Sequence, residues 1–146
     1  MNKYNNLTKF IPLLEDKNTR WTLDENAYEF YDSYTAIGRE LIQSILDFNQ
    51  TIETSYKIIK KNGYVNGFSE IKNLEIESCD DEIAFAYLNL IFNCEKYVSG
   101  TIYLCIQNGE VLKLLKIIES NINVEKIGFM CNTRTKLDYE DDSKGI

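Results

Sequence analysis

Apolar residues recur at spacings of three and four along most of the chain, which is the period of amphipathic α-helices. The clearest stripe runs through Ile37, Leu41 and Ile45. The Asn-Gly pairs at 62–63 and 108–109 are predicted to end helices, because glycine readily adopts the left-handed conformation. The periodicity predicts helices over residues 4–14, 33–47, 50–62, 78–98, 101–107 and 110–120.

Local signals refine these boundaries. Pro12 must kink or restart the first helix because it lacks an amide hydrogen. Ser78 is the predicted cap of the long central helix, and the three acids that follow complement the positive end of the helix dipole. Residues 64–77 are predicted to form a loop, and residues 124–130 are compatible with one strand or an extended arm.

A chain of 146 residues can bury one hydrophobic core without disulfide or metal clips. It has a single proline and no internal repeat. The predicted fold is all-α, a compact bundle of five or six short helices, with a short extended C-terminal arm as an option. Residues 1–131 form the predicted helical domain, and residues 132–146 form an acidic tail that we expect to be disordered.

Acidic residues outnumber basic ones by 23 to 16, which gives a formal net charge of −7, and the chain has no histidine. One copy therefore contains no Ser-His-Asp or Cys-His catalytic system, no histidine metal site and no imidazole pH switch. Repulsion from phosphate argues against direct nucleic-acid binding and favours a protein partner with a basic surface. No stretch approaches about 18 apolar residues, so we expect a cytoplasmic protein that makes no membrane contact.

The cysteines Cys79, Cys94, Cys105 and Cys131 include no Cys-x-x-Cys pair, which excludes a zinc ribbon and a thioredoxin-like motif. We expect buried structural thiols, with neither a metal nor a cofactor. The acids at positions 80–82 resemble a Mg²⁺ cluster, but consecutive residues point in different directions around a helix, and capping is the favoured role.

The end of the central helix carries a first group of candidate binding residues, Glu95, Lys96 and Tyr97. They are predicted to contact a ligand or a protein partner. The alternative is a partly buried ion pair between Glu95 and Lys96 that fixes the turn before Gly100.

Aromatic residues and tail acids supply the other candidates. Tyr31 and Tyr34, in a cluster with residues 28 and 30, either enter a pocket of a partner or pack around Trp21. The tail acids either imitate phosphate for a basic partner or only solvate a frayed end. They are Asp138, Glu140, Asp141 and Asp142.

A pattern of helix, Glu-basic-aromatic step, glycine, short helix, Asn-Gly turn and helix covers residues 84–120. Its fixed positions are Glu95, Lys96, Tyr97, Gly100, Asn108 and Gly109. In this pattern the chain resembles a family of small uncharacterised bacterial and phage proteins, a domain of unknown function. Residues 11–15 and Trp21 are similar to the opening segment of that family. The chain departs from it at Asn93, where the family usually has arginine, and at Lys96, which replaces a second arginine.

The resemblance implies a fold and no catalytic residues, and its occurrence in phages implies a role in conflict with a host. Together with the charge, it leads to the hypothesis of a non-enzymatic inhibitor or adaptor, which binds a nucleic-acid-handling host defence complex in the manner of an anti-CRISPR protein. A small-molecule sponge or sensor with a pocket at a homodimer interface is one alternative. A small intracellular enzyme that uses carboxylates is the other.

Overall fold

The computed structural model describes residues 3–23, 30–64 and 67–135, and their side chains as far as Val124 except that of Phe30. Within these ranges every regular element is helical, and one isolated bridge pairs Thr22 with Tyr34. The predicted all-α fold is thus confirmed. The α-helices are α1 (Ile11–Glu15), α2 (Ala36–Leu46), α3 (Ile52–Lys61), α4 (Asp81–Cys94), α5 (Thr101–Gln107) and α6 (Glu110–Thr135). The 3₁₀ helices are Asn5–Phe10, Phe30–Ser33 and Phe68–Asn73.

Helix α4 forms the centre of the bundle. Its residues 83–92 are all buried, and α2, α3, α5 and α6 all pack against it. A helix that is apolar around its whole circumference is stable only when it is covered on all sides. The other helices therefore arrange around α4 and present their polar faces to water.

The cap of α4 lies two residues after its predicted position, whereas α5 begins and ends at its predicted residues. Asp80, not Ser78, caps α4, with its Oδ1 accepting the Glu82 amide at 2.9 Å. The Ser78 hydroxyl instead donates to the Glu75 carboxylate at 3.1 Å. Helix α2 begins after Thr35, whose hydroxyl accepts the amide of residue 38. The Asp80 carboxylate and the Thr35 hydroxyl each accept an amide that the first turn of a helix leaves free.

The predicted restart of the first helix at Pro12 is confirmed. The residues before it form a separate 3₁₀ helix, and Pro12 stands in the first turn of α1, where its missing amide hydrogen costs nothing. Two other predictions about local structure are corrected. The predicted loop 64–77 contains the 3₁₀ helix Phe68–Asn73. Residues 124–130 belong to α6, which reaches Thr135, so no strand or extended arm forms there. Of the predicted tail, residues 136–146 lie outside the described residues.

A buried polar contact fixes α3 against α4. Asn89 is 1% exposed and donates to the Gln50 carbonyl and to the Ser55 hydroxyl, both at 2.9 Å. The Gln50 side chain donates to the same hydroxyl at 2.9 Å. Because a buried amide is costly unless its hydrogen bonds are made, these contacts define where the first turn of α3 lies along α4.

Candidate protein-binding cleft

Glu95 directly follows α4 and is completely buried. Its Oε1 accepts hydrogen bonds from the Tyr34 hydroxyl at 3.1 Å and from the Ile102 amide at 2.9 Å. Its Oε2 accepts the Gly100 amide at 2.8 Å. The Tyr34 hydroxyl in turn accepts the Tyr103 amide at 3.1 Å. We call this set the Glu95 network, and it supplies acceptors to the free amides at the start of α5.

The local sequence explains why the carboxylate is needed there. Gly100 precedes α5 with a φ of +90°, which reverses the chain after α4, and as the N-cap residue it has no side chain to accept an amide. Glu95 provides the missing acceptor from the preceding helix. A carboxylate at a helix N-terminus also lies at the positive end of the helix dipole, which offsets part of the cost of burying its charge.

The predicted alternative of a Glu95–Lys96 ion pair is wrong, since no salt bridge joins these two described residues. Lys96 is exposed. Burial, followed by the nearby Glu95 carboxylate, raises the pKa of Tyr34 above its usual value, so this hydroxyl remains protonated and keeps donating.

The structure separates the predicted binding residues into inner and outer ones. Glu95 and Tyr34 lie inside, where a partner does not reach them. Tyr31 is half-buried and donates its hydroxyl to the Phe92 carbonyl at 3.1 Å. Lys96 and Tyr97 lie outside, and Tyr97 is 76% exposed. The tail candidates Asp138, Glu140, Asp141 and Asp142 and residue 28 lie outside the described residues.

Tyr97 lines an open, mainly apolar cleft of about 330 Å³. Helix α3 contributes Ile52 and Tyr56 to its lining, and Tyr56 is 44% exposed. The last part of α4 and the 3₁₀ helix Phe68–Asn73 contribute the other lining residues. We call this the aromatic cleft, and its lining residues are Ile52, Tyr56, Phe68, Leu90, Cys94 and Tyr97. Sequence reasoning identified Tyr97 but missed Tyr56, which continues the apolar stripe of α3.

Two exposed lysines lie near residues that line the aromatic cleft. Lys60 lies one helical turn beyond Tyr56, on the same side of α3, and Lys96 adjoins Tyr97. Both lysines are exposed, and neither forms a salt bridge with another described residue. The exposed Lys57 pairs with Glu53 at 3.5 Å and so adds little net charge. Lys60 and Lys96 thus provide two exposed positive charges near residues that line the cleft, although the whole chain is acidic.

Cys94 lines this cleft and is only partly buried, so its predicted core position is wrong. It stands in the last turn of α4, where the cleft leaves the helix open to solvent. Cys79 and Cys105 are buried as predicted. Burial raises the pKa of Cys79 to about 11, and burial also raises the pKa of Cys105. The side chain of Cys131 is not among the described ones.

A larger groove of about 590 Å³ lies between α5 and the segment that follows α1. Trp21 and Tyr103 contribute apolar surface to it, whereas its charged lining residues, Asp16, Lys17 and Arg20, are all exposed. A small molecule held there would depend on side chains that water also surrounds, which weakens their electrostatic contribution.

The described residues contain no group of three potential ligands that could hold a metal ion. At the start of α4, Asp80 caps the helix, and Glu82 accepts the Tyr4 hydroxyl at 3.1 Å and pairs with Lys3 at 3.3 Å. Within the described ranges, no helix combines the length and the apolar character that crossing a membrane requires. No protein-family model, curated protein or solved structure matches this chain.

Proposed function

We propose that this protein is a non-enzymatic adaptor or inhibitor that binds a protein partner through the aromatic cleft. The observation that carries the proposal is the cleft itself, which is lined by Tyr97, 76% exposed, and by Tyr56, 44% exposed. Tyrosine supplies a large, rigid contact area at a small cost in side-chain entropy and is enriched among the residues that dominate binding energy.

Other apolar side chains close to Tyr97 in the sequence are also exposed. Val98 is 59% exposed and follows Tyr97, and Leu104 on α5 is 55% exposed. Tyr97, Val98 and the turn at Gly100 lie within four positions of one another, and Leu104 donates its amide to the Gly100 carbonyl at 3.0 Å. Neighbouring exposed apolar groups of this kind commonly mark an interaction site.

The charge around the cleft selects the chemistry of the segment that binds there. An apolar side chain would enter between Tyr56 and Tyr97, and acidic neighbours would face Lys60 and Lys96. The basic partner surface expected from the net charge would then meet other parts of the chain. A host defence complex as the target stays a prediction.

The alternatives have less support. Tyr34, Tyr87, Cys79 and Cys105 have raised pKa values because they are buried, and the cleft residues include no pair of acid and base groups that would serve catalysis. The sponge or sensor alternative would use the groove beside α5, whose charged side chains are exposed.

The test is photo-cross-linking from inside the cleft. A benzophenone amino acid replaces Tyr97 in the full chain, and a matched variant carries it at Val124, which is 61% exposed at the other end of the molecule. We expect a discrete protein adduct from position 97 in host cells, and we expect Tyr56→Asp to abolish it. The same adduct from position 124, or no adduct from position 97, would overturn the proposal.

A further inference from the structure

The chain contains a segment whose chemistry matches the aromatic cleft. Residues 137–142 read Leu-Asp-Tyr-Glu-Asp-Asp, which places two apolar side chains among four acids. The cleft has a volume of about 330 Å³ and is lined by apolar and aromatic side chains. Lys60 and Lys96 are exposed near its lining residues. Opposite charges at the rim of an apolar contact favour association and select the partner.

We propose that the aromatic cleft of one copy binds residues 137–142 of a second copy. Leu137 or Tyr139 enters between Tyr56 and Tyr97, and the flanking acids face the two lysines. The proposal rests on the proposed function, because it takes the cleft to be a docking site for protein.

The course of α6 explains why the segment belongs to another copy. Asn121 on α6 donates to the Cys79 carbonyl at 2.9 Å, so α6 passes the beginning of α4 at this point. The cleft lies at the opposite end of α4, beside Leu90 and Cys94. From Asn121 the helix continues to Thr135, which at 1.5 Å per residue is about 21 Å farther.

The chain would have to come back along this extension and along α4, whose own length is about 20 Å. That is a return of roughly 35–40 Å. The four residues from Thr135 to Tyr139 span at most about 14 Å when fully extended. The segment therefore does not reach its own cleft, whereas a second copy brings it there without constraint.

The experiment measures the self-association of the full chain. A cleft variant carries Lys60→Glu and Lys96→Glu, and a control with the same change in charge carries Lys17→Glu and Arg39→Glu at exposed positions outside the cleft. Analytical ultracentrifugation at micromolar to submillimolar concentration gives the association constant. We expect the cleft variant to associate about tenfold or more weakly than the control, because attraction becomes repulsion at two sites.

A charge swap tests the pairing directly. A tail variant carries Asp138→Lys, Asp141→Lys and Asp142→Lys. We expect the tail variant alone and the cleft variant alone each to associate about tenfold or more weakly than the control, and we expect their mixture to recover the association of the control. Alkylation of Cys94, mapped by peptide mass spectrometry, should slow in the recovered complex, because this thiol lines the occupied cleft.

A chain that stays monomeric throughout, or whose association is equal in cleft and control variants, would overturn this inference. The proposed function has its own readout, the adduct formed from position 97 in host cells. If that adduct consists of a foreign protein and persists in the tail variant while no self-association occurs, only the inference about the second copy fails.

Discussion

Removing the Tyr34 hydroxyl is the sharpest test of the Glu95 network. Tyr34→Phe keeps the ring, which is 1% exposed, and deletes the oxygen that donates to Glu95 and accepts the Tyr103 amide, both at 3.1 Å. A hydrogen bond to a charged group contributes about 1.5–3 kcal/mol, and an amide left without an acceptor costs about 1–3 kcal/mol. Because the neighbours relax in part, we expect the free energy of unfolding to fall by about 3 kcal/mol.

Tyr31→Phe is the matched control for this measurement. It removes the same atom from a half-buried ring whose hydroxyl makes one hydrogen bond, to the Phe92 carbonyl. The expected loss is about 1 kcal/mol. Urea unfolding followed by circular dichroism, and by the fluorescence of the single tryptophan Trp21, gives both values with unchanged denaturant slopes. Equal losses in the two variants would refute the claim that Tyr34 links Glu95 to the start of α5.

Three other predictions concern packing and the thiols. Gly38→Ala should lower the free energy of unfolding by about 1–3 kcal/mol in thermal denaturation, because the new Cβ would lie 2.7 Å from the Trp21 carbonyl oxygen; a neutral or stabilising effect would contradict this close approach. In the native protein, iodoacetamide should modify Cys94 well before Cys79 and Cys105, as read by peptide mass spectrometry, and equal rates would contradict the assigned burial. Since the pKa of Cys79 is raised from 9.0 to about 11, its contribution to stability is complete below pH 9 and is lost as the pH rises through 11. Urea midpoints should therefore fall over this range, and less so in Cys79→Ala; identical pH profiles would count against it.

The helices were predictable because their apolar stripes are long and regular. The stripe of Ile37, Leu41 and Ile45 is buried as the periodicity indicates. The choice of cap was not predictable, since Ser78 and Asp80 are equally suited to the role. Tertiary packing decides which of the two residues takes the extended conformation before the helix. For this reason α4 was predicted correctly as a helix, whereas its first residue was predicted two to three positions too early.

Two elements escaped prediction because they lack a clear period. The 3₁₀ helix Phe68–Asn73 is six residues long, and its apolar members, Phe68 and Ile71, are too few to define a face. The second half of α6 includes apolar residues at 124, 127 and 130 at helical spacing, but Gly128 and Phe129 interrupt the stripe and made a strand or an extended arm an alternative. The structure continues the helix through them, since the first half of α6 is already packed against the core and extending a formed helix is easier than starting another element.

The Glu95 network shows what a sequence motif conveys without giving the role of its residues. The Glu-basic-aromatic step lies at the turn between α4 and α5, where Glu95 makes its hydrogen bonds. Adjacent residues on a helix point about 100° apart, so Glu95 and Lys96 could not both face the interior as an ion pair. The informative signal was Gly100, because a helix that begins after a glycine needs an acceptor from elsewhere. Tyr34 was not identifiable as its partner, since 60 residues of chain separate it from the network.

The net charge of −7 was the reason to predict a partner with a basic surface. Net charge, however, adds all charged groups together, whereas a bound segment interacts mainly with the charges close to it. At physiological ionic strength the Debye length is about 8 Å. The acids at the start of α4 lie about 20 Å from the aromatic cleft along that helix, whereas Lys60 and Lys96 adjoin the cleft. An acidic segment in the cleft can therefore meet two exposed lysines in a protein whose net charge is negative. It follows that raising the salt concentration should weaken binding at the cleft through its lysines, and that the sign of the total charge does not identify the partner.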